Sequence, residues 1–426
     1  MKKIAFATWI LLLYVCNLQA QFVAEPYARK IVDTLSHSYF GGRGYVDDGD
    51  RRAAEFIAFE FNQLGLTRFP KAMTYFQNFQ FPVNTFPHTV SAISGKDTLK
   101  PGIDFVPAAS CPTIQGEYKL VWVDSALLSN EKRFRKFSKQ RFDKTFMVMD
   151  EKGITNEETK KVFKNLGMNP YGAKGIIRIK DKITWSVATD TTTYAQLDVV
   201  RNTLSRDQKS LKVDIRNRFV TQHATQNVMA YIPGNEVTDT FIVFTTHYDH
   251  LGKIGPDVIF RGANDNASGV AMMLSLANYF SENRHLSKYS IAFIAFAAEE
   301  AGLIGSKFFT MNPVFPLKNI RLLVNVDLMG GGEDGITVVN AKENPRIFNL
   351  MKSINDELQL LKIIKERSNA PNSDHYYFAE AGVPAIFIYT LGTYKHYHDV
   401  NDRAENLQLT KFNQVFTLIT ELIKRY

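Results

Sequence analysis

Side chains that can bind a divalent metal follow three separate apolar runs in the second half of the chain. His247 comes directly after one run of buried-strand length, Glu299 and Glu300 after the next, and Asp327 after a third. In open α/β sheets, ligands bind in the crevice beyond the carboxyl ends of the strands. The sequence therefore predicts that imidazole and carboxylate groups from three strands meet at one edge of a sheet.

Two polar loops add to this set. Asp265 lies in the loop at 262–269, and His398 lies in the segment at 395–399. Histidine and carboxylate together form a ligand set that suits zinc. Two histidines and three carboxylates exceed the needs of one tetrahedral zinc that keeps an open position. They suit two zinc ions that share one bridging carboxylate.

Glu299 and Glu300 are adjacent in the sequence and are expected to have different roles. Neighbouring side chains diverge at the end of a strand, so both cannot easily serve one metal ion. We expect one glutamate to be a ligand and the other to be the general base that takes a proton from water. The simpler alternative is an acidic pair that favours a helix N-terminus. Asp265 has a similar alternative as a helix cap.

Two further carboxylates are spaced to support the histidines. A histidine that binds a metal usually donates its other ring N–H to a carboxylate or a carbonyl. Asp249 lies two residues after His247 and is expected to accept that bond. Asp402 lies four residues after His398 and is expected to play the same role or to position that histidine.

The elements around these residues alternate as in an α/β domain. From residue 227 onward, apolar runs of strand length alternate with helical patterns. This predicts a mixed, mostly parallel central sheet flanked by helices. Residues 25–66 are predicted to be helical because apolar residues recur there at helical spacing. Residues 75–218 have short apolar and aromatic runs between turn residues, which predicts a β-rich module with a few helices.

The N-terminus is predicted to be a secretory signal peptide. Lys2 and Lys3 precede an apolar run at 4–15, and Ala20 ends a sequence that resembles a cleavage site. The run is shorter than the ~20 residues that a membrane-spanning helix needs. We therefore expect a secreted or periplasmic protein without a transmembrane span. Lipid attachment at Cys16 is the less favoured alternative.

The composition is that of an ordinary globular protein. Of 426 residues, 45% are hydrophobic and 22% are charged, which sets aside collagen, coiled-coil and disordered chains. The net charge of +8 is mild. The densest basic stretch, at 132–144, is interpreted as a solvated helix, and no nucleic-acid partner is expected. Loss of the signal peptide would leave Cys111 alone, so no intrachain disulfide is expected.

Six motifs along the chain resemble those of the di-zinc aminopeptidase family, which is related to bacterial leucyl aminopeptidases and to glutamate carboxypeptidase II. The motifs are THYDHLG at 246–252, GANDNASGVA at 262–271, AFAAEEAGLIGS at 295–306, VNVDLMG at 324–330, SDHYYFAEAGVPA at 373–385 and YHDVND at 397–402. The resemblance implies two Zn²⁺ ions as cofactors. His247 and Asp327 would bind one ion. Glu300 and His398 would bind the other, with Asp265 as the bridge.

The resemblance also assigns roles around the metal. Glu299 matches the general base, and Asp249 matches the carboxylate that orients the first histidine. Asp374 and His375 match a segment near the metal and are candidates for substrate contact. The family usually has Thr-Pro after its last histidine, whereas Asp-Val follows here, so His396 is a rival to His398.

The resemblance divides the chain into four parts. Residues 1–20 would be the signal peptide, and 21–74 the N-terminal helical part of the catalytic domain. Residues 75–220 would form an insertion like a protease-associated domain, and 221–426 the zinc peptidase domain. Similar enzymes share a phosphorylase/hydrolase-like α/β fold.

The function implied is that of a secreted exopeptidase acting on peptides or proteins. We expect an aminopeptidase because the motifs have no nearby arginine cluster for a substrate carboxylate. The alternatives are carboxypeptidase specificity on the same fold, or a glutaminyl cyclase-like aminoacyltransferase with one zinc. A non-catalytic relative like the transferrin receptors is disfavoured by the intact ligand set. The sequence does not fix the oligomeric state.

Overall fold

The computed structural model describes residues 23–426. The predicted signal peptide at residues 1–20, together with Cys16, lies outside the described residues. Within residues 23–426, no helix combines the length and the apolar character that crossing a bilayer requires.

The described residues form eighteen strands and ten α-helices. The strands are β1 Phe76–Thr85, β2 Val90–Ser94, β3 Asp97–Leu99, β4 Phe105–Pro107, β5 Ile114–Val123, β6 Thr145–Met149, β7 Gly175–Lys180, β8 Ala195–Val200, β9 Ser210–Ile215, β10 Arg218–Ile232, β11 Val237–His247, β12 Gly252–Ile254, β13 Val258–Phe260, β14 Tyr289–Phe296, β15 Ile320–Val326, β16 Gly335–Val339, β17 Ile364–Glu366 and β18 Ala385–Leu391. The helices are α1 Glu25–Leu35, α2 Gly49–Gln63, α3 Ser125–Leu128, α4 Glu131–Phe137, α5 Glu157–Gly167, α6 Ser268–Glu282, α7 Ile304–Met311, α8 Pro345–Leu358, α9 His375–Glu380 and α10 Phe412–Arg425.

The first sheet has eight strands in the order β1-β10-β14-β11-β15-β18-β16-β17. Its four central strands, β14, β11, β15 and β18, run parallel. Antiparallel pairs lie on either side of this centre. Every residue of β14 after the first is buried, as expected of parallel strands covered on both faces. The predicted mixed α/β class is confirmed.

Helices cover both faces of the first sheet. One core packs apolar residues of α1, α2, α6, α8 and α10 against one face. The second core packs α7 and α9 against the opposite face. The alternation of strand side chains divides them between the two cores: Ile242 and Phe244 of β11 belong to the first, and Val243 to the second.

The N-terminal helices pack close to the second half of the chain. The apolar positions of α1 that recur at helical spacing are all buried. Between α1 and α2, Gly42 has φ +65°, and a Cβ there would lie 2.2 Å from the carbonyl oxygen of Phe260. Only glycine therefore lets this segment approach β13 so closely.

The second sheet also has eight strands, in the order β3-β2-β9-β5-β6-β7-β8-β4. It occupies residues 90–215, which we call the inserted domain, and α3, α4 and α5 lie between its parallel strands. The predicted limits of 75 and 220 differ from these, because β1 pairs with β10 in the first sheet from Phe76 to Thr85. The basic side chains of α4 are exposed, while Phe137 at its end is buried.

Candidate metal centre

The parallel strands align the polar residues that follow them. His247 is the last residue of β11 and pairs in register with Phe296, the last residue of β14. Asp327 follows β15 directly, and Glu299 follows β14 after a short turn. Because these strands run parallel and end together, the side chains beyond them meet at one edge, as the sequence predicted.

Asp265 connects two groups of candidate ligands. Its Oδ1 lies 3.5 Å from Nε2 of His247, and its Oδ2 lies 3.0 Å from Nε2 of His398. Nε2 of His247 also lies 3.4 Å from Oδ2 of Asp327. On the other side, Nε2 of His398 lies 3.1 Å from Oε2 of Glu300. The five residues thus form two half-clusters that share one carboxylate.

The structure brings His398 to this cluster and leaves His396 outside it. Nδ1 of His396 lies 3.4 Å from Oδ1 of Asp399, and 39% of the His396 side chain is exposed. His398 has φ +55°, and this backbone conformation turns its ring toward Asp265 and Glu300.

A third histidine of the cluster, His250, was not among the predicted site residues. It is fully buried, and its Nδ1 lies 2.8 Å from Oε1 of Glu300 and 3.9 Å from Oδ1 of Asp265. His250, Asp265 and Glu300 therefore form a further group of possible metal ligands. The available signal was its position three residues after His247 in the same polar segment.

Asp249 supports the glutamate pair more than it supports His247. Its carboxylate accepts the main-chain N–H groups of Glu299 and Glu300 at 3.2 and 3.3 Å, and the hydroxyl of Tyr45 at 2.6 Å. Nδ1 of His247 lies 3.2 Å from the main-chain carbonyl of Asp249 but 3.7 Å from its carboxylate. The structure differs here from the expected carboxylate–histidine bond, because the carboxylate is engaged by the turn after β14.

Asp402 holds the loop of Asp265 and not the ring of His398. Its Oδ1 accepts the main-chain N–H of Asn264 at 2.8 Å, and its Oδ2 accepts that of Asp265 at 3.0 Å. Nδ1 of His398 instead lies 2.9 Å from the main-chain carbonyl of Trp185 in the inserted domain. The expectation that Asp402 orients His398 is therefore corrected.

Asp374 and His375 are fully buried at the start of α9. The ring of His375 packs against Phe387 at 5.3 Å between centroids. Neither residue lines the cleft at the metal cluster. The structure therefore places both beneath the site, in contrast to the predicted substrate contact, because α9 packs against the sheet.

The two glutamates have opposite electrostatic surroundings. Burial raises the pKa of Glu299 well above its usual range, and the charge of Glu300 adds to the rise against the opposing effect of His247. Burial would also raise the pKa of Glu300, but His398 and His250 lower it well below its usual range. Glu300 is thus held as an anion, while Glu299 has a high affinity for a proton. Surroundings that push the pKa values of two carboxylates apart are typical of acid–base sites.

Neighbouring carboxylates raise the pKa values of two histidines in the cluster. Burial opposes the charge on His398, yet Glu300 and Asp265 raise its pKa to about 11. The pKa of His247 is also raised, because Glu299 and Asp327 outweigh its burial. Positive charge is therefore strongly favoured at this cluster.

The residues present fit a divalent cation. Asp265, Asp327 and Glu300 are carboxylates within one largely buried cluster, and Oδ1 of Asp327 is buried without a hydrogen-bond partner among the described residues. Burying a carboxylate is costly in free energy unless the carboxylate is paired with a positive group or binds a metal. His247, Asp265 and Asp327 offer ligand atoms that all lie within 4.8 Å of one another.

A cleft of about 210 Å³ opens onto the cluster. Tyr397 stacks on the ring of His398 at 3.9 Å between centroids. The wall has acidic, amide, apolar and aromatic side chains but no lysine or arginine. The lining residues are His247, Asp265, Glu299, Glu300, Asp327, Leu328, Asn372, Phe387, Tyr389, Tyr397 and His398.

A known protein family matches the part of the chain that carries the candidate metal ligands. Residues 227–423 match the sequence model of peptidase family M28. These residues belong to that family. The M28 segment contains all five candidate ligands and Glu299, whereas Arg43, Tyr45 and Trp185 contact the site from outside it.

Two known proteins that this chain resembles are named as a zinc metalloprotease and as an aminopeptidase. The chain is 35% identical over 114 residues to a "Probable zinc metalloprotease" of Pyrenophora teres f. teres, covering 26% of this chain and 24% of the relative. It is 27% identical over 221 residues to "Aminopeptidase YwaD" of Bacillus subtilis, covering 49% and 46%. The chain thus matches between about a quarter and a half of the length of these relatives.

The fold extends beyond the M28 segment. The solved structure of BSAP, a zinc aminopeptidase from Bacillus subtilis, superposes over 95% of this chain and 95% of its own, with a TM-score of 0.68. At 20% sequence identity, this likeness establishes a shared fold that includes the inserted domain.

Proposed function

We propose that this protein is a zinc-dependent aminopeptidase that removes residues from the N-terminus of peptides. The observation that carries the proposal is the position of Asp265, whose two carboxylate oxygens face His247 and His398 on opposite sides. One carboxylate so placed can bridge two metal ions. The names of the M28 relatives support the reaction class.

In this proposal the five residues hold two zinc ions. His247 and Asp327 would bind one ion, and Glu300 and His398 would bind the other, with Asp265 shared between them. When bound, zinc supplies Lewis acidity toward the scissile carbonyl and toward water.

The side chain that moves the proton is Glu299. Its raised pKa makes it an effective proton acceptor in the cleft. It takes a proton from the attacking water as the new C–O bond forms. It then delivers this proton to the amine nitrogen as the C–N bond breaks. Asp249 fixes the main chain of Glu299 through the N–H bond at 3.2 Å, so the carboxylate is held at the cleft.

The lining of the cleft supports the choice of substrate end. Glu299 and Asp327 line it, and no lysine or arginine does. A C-terminal carboxylate would therefore find no basic side chain to pair with, whereas the carboxylates and the amide of the wall can accept hydrogen bonds from a free α-amino group. This observation favours an aminopeptidase over a carboxypeptidase.

The variant Glu299→Gln tests the assigned base. Glutamine keeps the shape of the side chain but cannot accept the proton, so turnover should fall by about 10²–10⁴-fold while zinc content stays unchanged. Glu366→Gln, on the exposed end of β17, is the matched control and should retain full activity. Wild-type turnover by Glu299→Gln would refute the role.

A substrate panel tests the reaction. Aminoacyl anilides should be cleaved, and their N-acetylated counterparts should not. An N-blocked peptide with a free C-terminus reports carboxypeptidase activity, and an N-terminal glutaminyl peptide reports cyclisation. Product from either of the last two, without cleavage of aminoacyl anilides, would overturn the proposal.

We also propose that residues 1–20 direct export and are removed after Ala20. Support for this comes from the sequence alone: a basic start, a short apolar run and a small residue at the cleavage position. N-terminal sequencing of the protein from its natural host should give Gln21 as the first residue. A mature chain that retains Met1, or one that starts with a lipidated Cys16, would contradict this.

A further inference from the structure

The inserted domain reaches the metal cluster through a reciprocal pair of hydrogen bonds. The main-chain N–H of Trp185 donates to the carbonyl of His398 at 3.0 Å. In return, Nδ1 of His398 lies 2.9 Å from the carbonyl of Trp185. These two residues are 213 positions apart, so the contact depends entirely on the packing of the two domains.

The second of these bonds fixes the tautomer of His398. A main-chain carbonyl only accepts hydrogen bonds, so Nδ1 must carry the proton. In the neutral ring, Nε2 is then left with its lone pair. That atom faces Asp265 and Glu300 at 3.0 and 3.1 Å. The carbonyl of Trp185 therefore presents the correct nitrogen to the metal.

The loop of His398 needs such external support. His398 adopts φ +55°, a region that costs free energy for residues other than glycine and persists only where the surroundings enforce it. Lys182 makes further contacts that fix this loop. Its Nζ lies 3.0 Å from Oδ2 of Asp399 and also donates to the carbonyl of Lys395.

Trp185 is itself firmly anchored. Its indole N–H donates to the carbonyl of Pro107 at 2.9 Å, its ring stacks on Phe260 at 5.1 Å, and Phe86 packs edge-on. Trp185 and Phe260 belong to a single core that also contains Val400. Phe260 ends β13, shortly before the loop of Asp265. The anchor therefore fixes the position of Trp185 relative to both metal-binding loops.

We propose that Trp185 and Lys182 form a clasp through which the inserted domain positions His398 for metal binding. The inserted domain would then contribute to the affinity of the second zinc site. Both are positioning residues that act through His398. The inference rests on the proposed function, because it assigns His398 as a zinc ligand.

The first experiment measures zinc binding by competition with a chelator in purified full-length variants. Trp185→Ala removes the anchor, and Lys182→Ala removes the ion pair to Asp399. Each should weaken one of the two zinc sites by about tenfold or more and leave the other unchanged. Trp185→Phe keeps an aromatic ring stacked on Phe260 and should retain most of the zinc affinity that Trp185→Ala loses. Lys180→Ala, on the exposed end of β7, is the matched control and should bind two ions like the wild type.

Thermal unfolding of the metal-free variants separates positioning from a general structural role. Lys182→Ala should lose zinc affinity at one site while its metal-free Tm stays within about 2 °C of the wild type. If both sites weaken equally and the metal-free Tm falls in parallel, the clasp is refuted. Unchanged affinity in both Trp185→Ala and Lys182→Ala would refute it as well.

A second readout does not depend on activity or on zinc. In ¹⁵N-detected histidine spectra of the metal-free protein, His398 should show a protonated Nδ1 whose signal disappears in His398→Asn. Trp185→Ala should alter that signal, and Lys180→Ala should not. An unaltered signal in Trp185→Ala overturns the clasp even if the protein binds two zinc ions. A wild-type protein that binds no zinc overturns the proposed function, whatever the spectra show.

Discussion

The guanidinium of Arg43 donates a hydrogen bond to the main-chain carbonyl of Asp265 at 3.2 Å. Arg43 is fully buried, and burial lowers its pKa to about 10. Its five hydrogen bonds in the described structure all go to main-chain carbonyls. The acceptors are Leu35, Tyr248, Arg261, Gly262 and Asp265. A single residue from the N-terminal part of the chain therefore joins α1, the end of β11 and the loop that carries the shared carboxylate.

Replacement of Arg43 by methionine should destabilise the whole protein. Methionine has a similar length but removes the guanidinium donor from five main-chain carbonyls, and each buried carbonyl that finds no other donor costs about 1–3 kcal/mol. We expect the free energy of unfolding in urea to fall by at least about 3 kcal/mol. Arg51→Met is the control, because Arg51 lies on the exposed face of α2 and should change little. Equal stability of the two variants would show that other groups satisfy these carbonyls.

Asp402→Asn should weaken both zinc sites together. The carboxylate accepts two main-chain N–H groups and the hydroxyl of Tyr394, and an amide offers only one accepting oxygen. The loop of Asp265 should loosen, and since Asp265 would serve both ions of the proposed site, each affinity should fall by about 10–100-fold. Tyr394→Phe removes only the hydroxyl and should have a smaller effect in the same chelator competition. A loss confined to one ion would contradict this prediction.

Asp374→Asn should change how the stability of the metal-free protein depends on pH. Burial raises the pKa of Asp374 to about 7, whereas an unfolded aspartate titrates near ~4. Between these values the folded state binds the extra proton, so this residue makes the protein less stable as the pH rises. Asparagine has no such proton. Relative to the wild type, the variant should therefore gain stability from pH 4 to pH 7, by up to about 4 kcal/mol.

The measurement for Asp374 is urea unfolding at several pH values with a chelator present. Asp356→Asn, at an exposed position of α8, is the control and should keep a constant difference from the wild type. A constant difference for Asp374→Asn as well would mean that Asp374 titrates normally in the folded state.

Cys111 should be inert to thiol reagents in the folded protein. Its side chain is buried, and burial raises its pKa to about 12, so almost no reactive thiolate exists at pH 8. In the form that begins at Gln21, labelling should be at least about 100-fold slower than after denaturation. Cys111→Ser gives the background. Rapid labelling under native conditions would contradict the burial of this thiol.

The sequence by itself determined the α/β class and the residues at the edge of the sheet. Apolar runs of strand length mark β11, β14 and β15, and polar residues directly after them must lie at a common edge when the strands are parallel. Physical reasoning could therefore place His247, the glutamate pair and Asp327 together before any coordinates. A change of pattern predicted a β-rich region, but the limits of the second sheet differ from the predicted ones, because β1 has the same local pattern as the strands that follow it.

Only the tertiary structure decided what holds these residues in place. It selected His398 over His396, turned Asp402 toward the Asp265 loop, and buried Asp374 beneath the cleft. The supports for the site are largely main-chain groups, such as the carbonyl of Trp185 and the N–H of Glu300. Every residue has such groups, so they leave no signature in the sequence. Which of these main-chain groups reach a metal-binding side chain depends on how the two sheets pack, and that packing exists only in the folded chain.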